Sequence, residues 1–249
     1  MHPILFERGA FVLSSYSVML SLAFIAGGLV RHAETRRLRY DARPGFRWVA
    51  VGMLVGAVLG SKLGMLLYVD PSTFARMLAE PPLLQTAGKT VIGALFGAYL
   101  GVELTKRMIG LRGSTGDVLA IALPLSLAIG RTGCFLAGCC YGVPHEGLLS
   151  VHMAGAARHP VQLYEVALDL LLAAGMFSLR TRVAPAGERF KLCLIGYALI
   201  RLALDPLRGD PRVFAGPVSA VQIACVLAIA ALSAAIVHQR RALPIGVGR

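Results

Sequence analysis

Charge is what this sequence has least of. Asp, Glu, Lys and Arg together make up 15% of its 249 residues, against about 25% in an ordinary soluble domain. Acidic side chains are the scarcer sign, 13 against 25 basic ones. So little charge excludes a water-swollen disordered chain and argues against a soluble enzyme. Tryptophan occurs once. There is no internal repeat, no low-complexity tract and no long linker. The first ten residues carry no basic cluster and no A-x-A-like site follows the first apolar run, so no cleavable signal peptide is expected.

What fills the chain is apolar. Hydrophobic residues reach 56%, mean hydropathy is +0.69, and glycine takes 28 positions. These values describe an all-α integral membrane protein, and the glycine excess suits close helix packing in lipid. The formal charge of +12 and pI of about 10.1 would suggest nucleic acid in a soluble protein. In a membrane protein they report basic cytoplasmic loops and anionic lipid. No nucleic-acid partner is expected.

A crossing helix needs about 20 apolar residues. Seven stretches meet this: 11–30, 48–69, 90–109, 118–135, 161–179, 192–207 and 213–237. The sixth is the weakest, and a re-entrant segment there is the alternative. The connections after the odd-numbered spans hold 16 Lys and Arg, the other set 7. The positive-inside rule then puts the N-terminus outside and the C-terminus in the cytoplasm. The expected architecture is a single polytopic domain over 1–249, with an outside amphipathic arm at 70–89 and a short outside loop region at 139–159.

Ionisable residues inside a bilayer default to functional hypotheses. Arg131 in the fourth span, and Arg201 and Arg208 in the sixth, fall in the middle-to-outer half. An arginine there pairs with a carboxylate or waits for an anion such as a phospholipid phosphate, which a guanidinium grips through two parallel hydrogen bonds. Tyr197, Arg201, Asp205 and Arg208 share one helix face. Either an internal ion-pair stripe or a binding site accounts for them. His159, Pro160, Gln162, Tyr164 and Glu165 open the fifth span. Here a polar, dipole-favoured first turn competes with a general base or an arginine partner.

Around Arg131, Gly130, Gly133, Gly138 and Gly142 let backbone approach a ligand closely. Cys134, Cys139 and Cys140 lie among them. With His145, His152 and His159 they suggest zinc, but the spacing matches no common pattern, and no metal or organic cofactor is expected. A disulfide from Cys134 to Cys139 or Cys140 is a second reading, and a reactive thiol beside Arg131 a third.

Taken together these residues resemble the prolipoprotein diacylglyceryl transferase family of the bacterial membrane. Gly130, Arg131, Gly133, Phe135, Gly138, Tyr141 and Gly142 match its G-R-x-G-N-F-x-N-G-E-x-Y-G signature in register. His159, Pro160, Gln162, Leu163, Tyr164 and Glu165 match its H-P-S-Q-L-Y-E. Tyr197, Arg201, Asp205 and Arg208 are similar to its late motif. Gly60–Tyr68 and Val218–Gln222 are similar to further stretches, so the resemblance covers about residues 48–230. It implies transfer of diacylglyceryl from phosphatidylglycerol, or another anionic phospholipid, to the thiol of a prolipoprotein signal peptide's lipobox. It also implies a multi-pass protein of the bacterial inner membrane. By that resemblance Arg131 and Arg201 hold the phosphate, Arg208 supports them and Tyr197 orients the headgroup. Glu165 or Asp205 holds an arginine or moves a proton.

The departures are specific. Cys134 stands for the first signature asparagine, Ala137 for the second and Cys139 for the glutamate. Gly88 stands where the family has histidine in H-G-G-L-I-G, followed by Lys89, a candidate replacement base or phosphate contact. The alternatives are a paralogue of the same fold with another acceptor or anionic lipid, a redox protein using the cysteines, and a non-catalytic lipid-binding or transport protein.

Overall fold

The structure is a computed structural model. It describes the chain except residues 1–2, 9–10, 41–42, 44, 68, 70, 81–89, 183, 210–217 and 243–249. A short antiparallel hairpin, β1 (Ile4–Arg8) and β2 (Phe11–Ser14), leads in. Four helices follow: α1 (Ser15–Arg37), α2 (Phe46–Leu63), α3 (Pro71–Ala79) and α4 (Val91–Met108). Then come α5 (Ala122–Ala137), the strand pair β3 (Val151–Met153) and β4 (Ala156–Arg158), α6 (Val161–Ser178), α7 (Glu188–Leu204) and α8 (Ala220–Arg241).

Among the described residues five helices are long and apolar enough to cross a membrane: α1, α2, residues 116–137, residues 161–181, and α8. The third and sixth expected spans fall short for physical reasons. α4 ends on Glu103, Lys106 and Arg107, with Lys106 buried and paired to Glu103 at 2.7 Å. α7 has 17 residues and carries Glu188, Arg189, Lys191 and Arg201. The first span also starts later than its hydropathy suggests. Residues 11–14 form a strand, and the helix begins where the Ser14 side chain accepts the Ser17 N–H at 3.1 Å, the role of an N-cap. It then runs on through Arg31, Arg36 and Arg37, cations that suit the negative end of a helix.

Burial is inverted relative to a soluble domain. Phe24, Leu29, Leu171, Phe177 and Leu227 are exposed, whereas Glu165, Asp169, Arg201, Asp205 and Arg208 are buried. Lipid-facing surface needs no polar groups, so those in the chain turn inward.

The chain divides into two units: residues 1–38, 114–210 and 224–249, and residues 39–113 with 211–223. The second unit is organised by glycine. Gly52, Gly56, Gly60 and Gly64 repeat every four residues from α2 into the following turn, and Gly93, Gly97 and Gly101 do the same on α4. Each stripe fits against the other so closely that a Cβ on Gly56 would overlap the Gly97 carbonyl oxygen, and one on Gly97 the Gly56 carbonyl oxygen. Small residues repeated at this spacing let two helices approach backbone to backbone, where dispersion and not hydrophobicity holds them. α3 is short and amphipathic.

In the first unit α1 packs on α5, α5 on α6, and α6 on α7. Gly27 leaves room for the Ser126 hydroxyl, which donates to the Ala23 carbonyl at 3.1 Å. Gly133 similarly admits Met19. The start of α7 is fixed by a distant carboxylate. Asp117 accepts the Gly187 N–H at 2.7 Å and the Phe190 N–H at 3.0 Å. It thereby satisfies donors that a helix start leaves without intrahelical partners. This sets the rotation of α7 about its axis, and with it the direction of Tyr197 and Arg201.

Candidate active site

Glu165 is the hub. It lies in the second turn of α6 at 2% exposure. Its Oε1 accepts from Arg201 Nη1 at 3.1 Å and from Arg208 Nη1 at 2.9 Å, and its Oε2 pairs with Arg131 Nε. Three guanidiniums from α5, α7 and the segment after α7 thus meet on one carboxylate. Arg201 has a second acid one turn on, Asp205 Oδ1 at 3.7 Å. Asp169, one turn beyond Glu165 and 1% exposed, forms no ion pair among the described residues. Among the described residues three guanidiniums thus meet two paired carboxylates in a buried setting.

The arginines are not equivalent. The Arg201 and Arg208 side chains are 3% and 8% exposed, that of Arg131 12%. Arg131 spends Nε on Glu165 and makes no other hydrogen bond among the described residues, which leaves both terminal nitrogens available. The Tyr197 hydroxyl and Gln162 Oε1 are buried without a hydrogen-bond partner among those residues. Buried polar atoms are nearly always satisfied, so these two point to a polar group or water that completes the site.

The loop after α5 wraps this hub. Gly138 ends the helix in the left-handed region at φ 72°, and Gln162 Nε2 donates to the Cys139 carbonyl at 2.7 Å. Gly142 N–H donates to the His159 carbonyl at 3.1 Å, and the Val143 N–H to the Leu207 carbonyl at 2.9 Å. A side chain at Gly142 would collide with both carbonyls. This backbone bridge clamps the Arg208 segment to the loop. Arg158 strengthens it, donating to the Gly142 carbonyl at 3.2 Å while lying over the Tyr141 ring. Tyr164 meets His159 Nδ1 at 3.3 Å. His159 also stacks on His145, with centroids 3.9 Å apart. Partial burial and the His145 charge hold the His159 pKa below the ordinary imidazole value.

Cys134, Cys139 and Cys140 converge, their sulfurs all within 4.8 Å of one another, and none forms a disulfide. Of the residues singled out from sequence, Arg131, Glu165, Tyr197, Arg201, Asp205 and Arg208 gather at the hub. Gln162, Gly138, Gly142 and His159 shape the loop, and Gly133 sits at the α1 contact. Lys89 lies outside the described residues. Sequence reasoning missed two neighbours. Asp169 had a signal, its spacing of four from Glu165. Tyr16 on α1, placed where the charges of Arg131 and the three cysteines act on it, had none.

The described fold is that of a helical protein with apolar, membrane-length helices and buried arginines gathered on one carboxylate. The chain belongs to the prolipoprotein diacylglyceryl transferase family, whose profile matches residues 3–238. It is similar to the phosphatidylglycerol–prolipoprotein diacylglyceryl transferase of Clostridium tetani, 29% identical over 227 residues, 85% of this chain and 87% of the relative. The enzyme of that name from Dehalococcoides mccartyi is 28% identical over 250 residues, 96% of this chain and 94% of the relative. That from Aromatoleum aromaticum is 31% identical over 232 residues, 85% and 84% respectively.

Proposed function

We propose that this chain transfers a diacylglyceryl group from phosphatidylglycerol to the lipobox cysteine of a prolipoprotein, with Arg131 holding the departing phosphate. One observation carries the assignment: Arg131 is anchored through Nε alone and keeps both terminal nitrogens for a ligand. In the reaction the acceptor sulfur attacks the glyceryl carbon. A C–S bond forms as the C–O bond to phosphate breaks, glycerol phosphate leaves with the electron pair, and the thiol proton passes to a base. Negative charge grows on the phosphate, and fixed cations in a dry site stabilise that growth. Arg201 and Arg208 act through Glu165. They pin the carboxylate that orients Arg131 and add positive potential at the site. The unpartnered Tyr197 hydroxyl and Gln162 oxygen suit the hydroxyls of a glycerol headgroup.

The membrane placement belongs to the same proposal. α4 and α7 cross with the five apolar helices to give seven spans, the N-terminus lies outside, and the enzyme works in the bacterial inner membrane on outer-leaflet lipid. The excess of Lys and Arg in alternate connections supports this orientation. A second reading keeps the donor and changes the acceptor. It is favoured by Cys134 and Cys139, which stand where the family signature has asparagine and glutamate.

The test gives purified protein labelled phosphatidylglycerol and a lipobox peptide. A thioether-linked product that vanishes in Arg131→Ala supports the first reading. Lipid binding that weakens in Arg131→Ala, with no product, supports the second. Neither product nor Arg131-dependent binding overturns both.

A further inference from the structure

We propose that Cys134, Cys139 and Cys140 form a three-thiolate site for one thiophilic cation of the Zn2+ or Cu+ type. The proposal stands on the thiol geometry and not on the transferase reading. Among the described residues these three are the only group of three or more His, Cys, Asp or Glu side chains whose ligand atoms converge, all within 4.8 Å. An ion bound at about 2.3 Å from each sulfur needs sulfurs roughly 4 Å apart. Small side-chain rotations close that difference.

The backbone explains why the spacing hides the site. C-x4-C-C resembles no common metal motif as text. In the fold, Gly138 turns into the left-handed region and the Cys139 N–H bonds back to the Cys134 carbonyl at 3.1 Å. That puts the Cys139 thiol beside the last turn of α5, within 3.6 Å of the same carbonyl. Cys140 then takes φ 56°, a left-handed value uncommon for a residue with a side chain. This strained turn returns the third sulfur to the first two. Gln162, 1% exposed, holds the turn from outside through the Cys139 carbonyl. An outer hydrogen bond of this kind orients a ligand turn.

Electrostatics completes the argument. Binding releases the thiol protons to solvent. Three thiolates around Zn2+ carry one net negative charge, and around Cu+ two. The Arg131 charge acts on all three sulfurs and Arg208 on Cys140. An anionic thiolate complex therefore forms beside fixed positive charge. Cys134 is buried and Cys139 is the most open of the three, so one ligand faces the route of entry.

The test is elemental analysis of the intact detergent-solubilised protein, purified without chelator and also reconstituted separately with Zn2+ and with Cu+. We expect about one bound ion per chain and, with Co2+ as a probe, sulfur-to-cobalt charge-transfer absorption. Cys134→Ser, Cys139→Ser and Cys140→Ser each weaken binding at least tenfold, whereas Cys225→Ala, at a cysteine outside the cluster, retains it. Each variant is first checked for the wild-type elution volume. Zinc and copper loading are told apart by the element recovered, and either supports the site. Two results overturn it. One is no retained ion while all three thiols react with a thiol reagent. The other is two thiols that react only after reduction, which would make the cluster a disulfide pair.

Discussion

Removing the Glu165 carboxylate should damage the fold more than removing any one arginine that touches it. Glu165→Ala takes a shared carboxylate from Arg131, Arg201 and Arg208, while Asp205 stays 3.7 Å from Arg201. Breaking a buried ion pair by deleting one partner costs about 3–5 kcal/mol, because the surviving charge stays desolvated. Here one deletion removes a partner from three cations at once, so the upper part of that range applies. At roughly 2–4 °C per kcal/mol for a chain of this size, the melting temperature should fall by about 10 °C or more. Arg131→Ala differs. Its side chain is the most open of the three, and Glu165 keeps Arg201 and Arg208 at 3.1 and 2.9 Å. That variant should melt within a few degrees of wild type and lose function at the site. Glu165→Ala combined with Arg208→Met removes a charge of each sign and should regain part of the lost stability. The assay is thermal unfolding in detergent, followed by the loss of the monodisperse elution peak. A Glu165→Ala protein that melts within about 2 °C of wild type would refute the hub as the element that holds these helices together.

Two further outcomes follow from the geometry. Gly97→Leu should separate α2 from α4, since a Cβ there already overlaps the Gly56 carbonyl oxygen. Overpacking costs about 1–3 kcal/mol where side chains can yield and more where backbone is the obstacle. The variant should elute as aggregate, while the outward-facing Leu100→Ala should not. The strand-paired loop should also loosen in acid. The folded-state His159 pKa is depressed, so the unfolded chain binds the proton more readily. The stabilisation is complete above the unfolded value of about 6.5 and is lost as pH falls through it toward the folded value. Protection factors for amide exchange at Val143 and His159, the rates corrected for the intrinsic pH dependence, should fall between pH 7.5 and 5.5, and His145→Ala should reduce that fall. A pH-independent protection factor would count against the stacked pair as its cause.

Much of the candidate site was legible because its residues sit at helical spacing. Tyr197, Arg201 and Asp205 recur every four residues, so their shared face was visible before any fold. The competing readings of that face, an ion-pair stripe or a site, turn out to be layered. Arg201 does pair with Asp205, and it also reaches Glu165 on another helix. Which carboxylate serves which arginine was not legible, because α5 and α6 are separated by the whole 138–160 loop. The glycine stripes show the same limit. Glycine excess announced close packing, but that Gly56 meets Gly97 depends on the relative rotation of two helices. Among the described residues, five of the seven expected spans meet the length and hydropathy of a crossing helix. A charged last turn in α4 and the short α7 remove two helices from the apolar set.

The sequence by itself determined the medium, the helical class, the family and the membership of the arginine site. These rest on composition and on short-range periodicity, which need no partner segment to be read. Tertiary structure alone decided that one glutamate holds three arginines, that Asp117 sets the rotation of α7, and that three cysteines share one point in space. Each of those depends on side chains from segments tens of residues apart or on a left-handed turn. Close approach between them is fixed by packing, which no local pattern encodes.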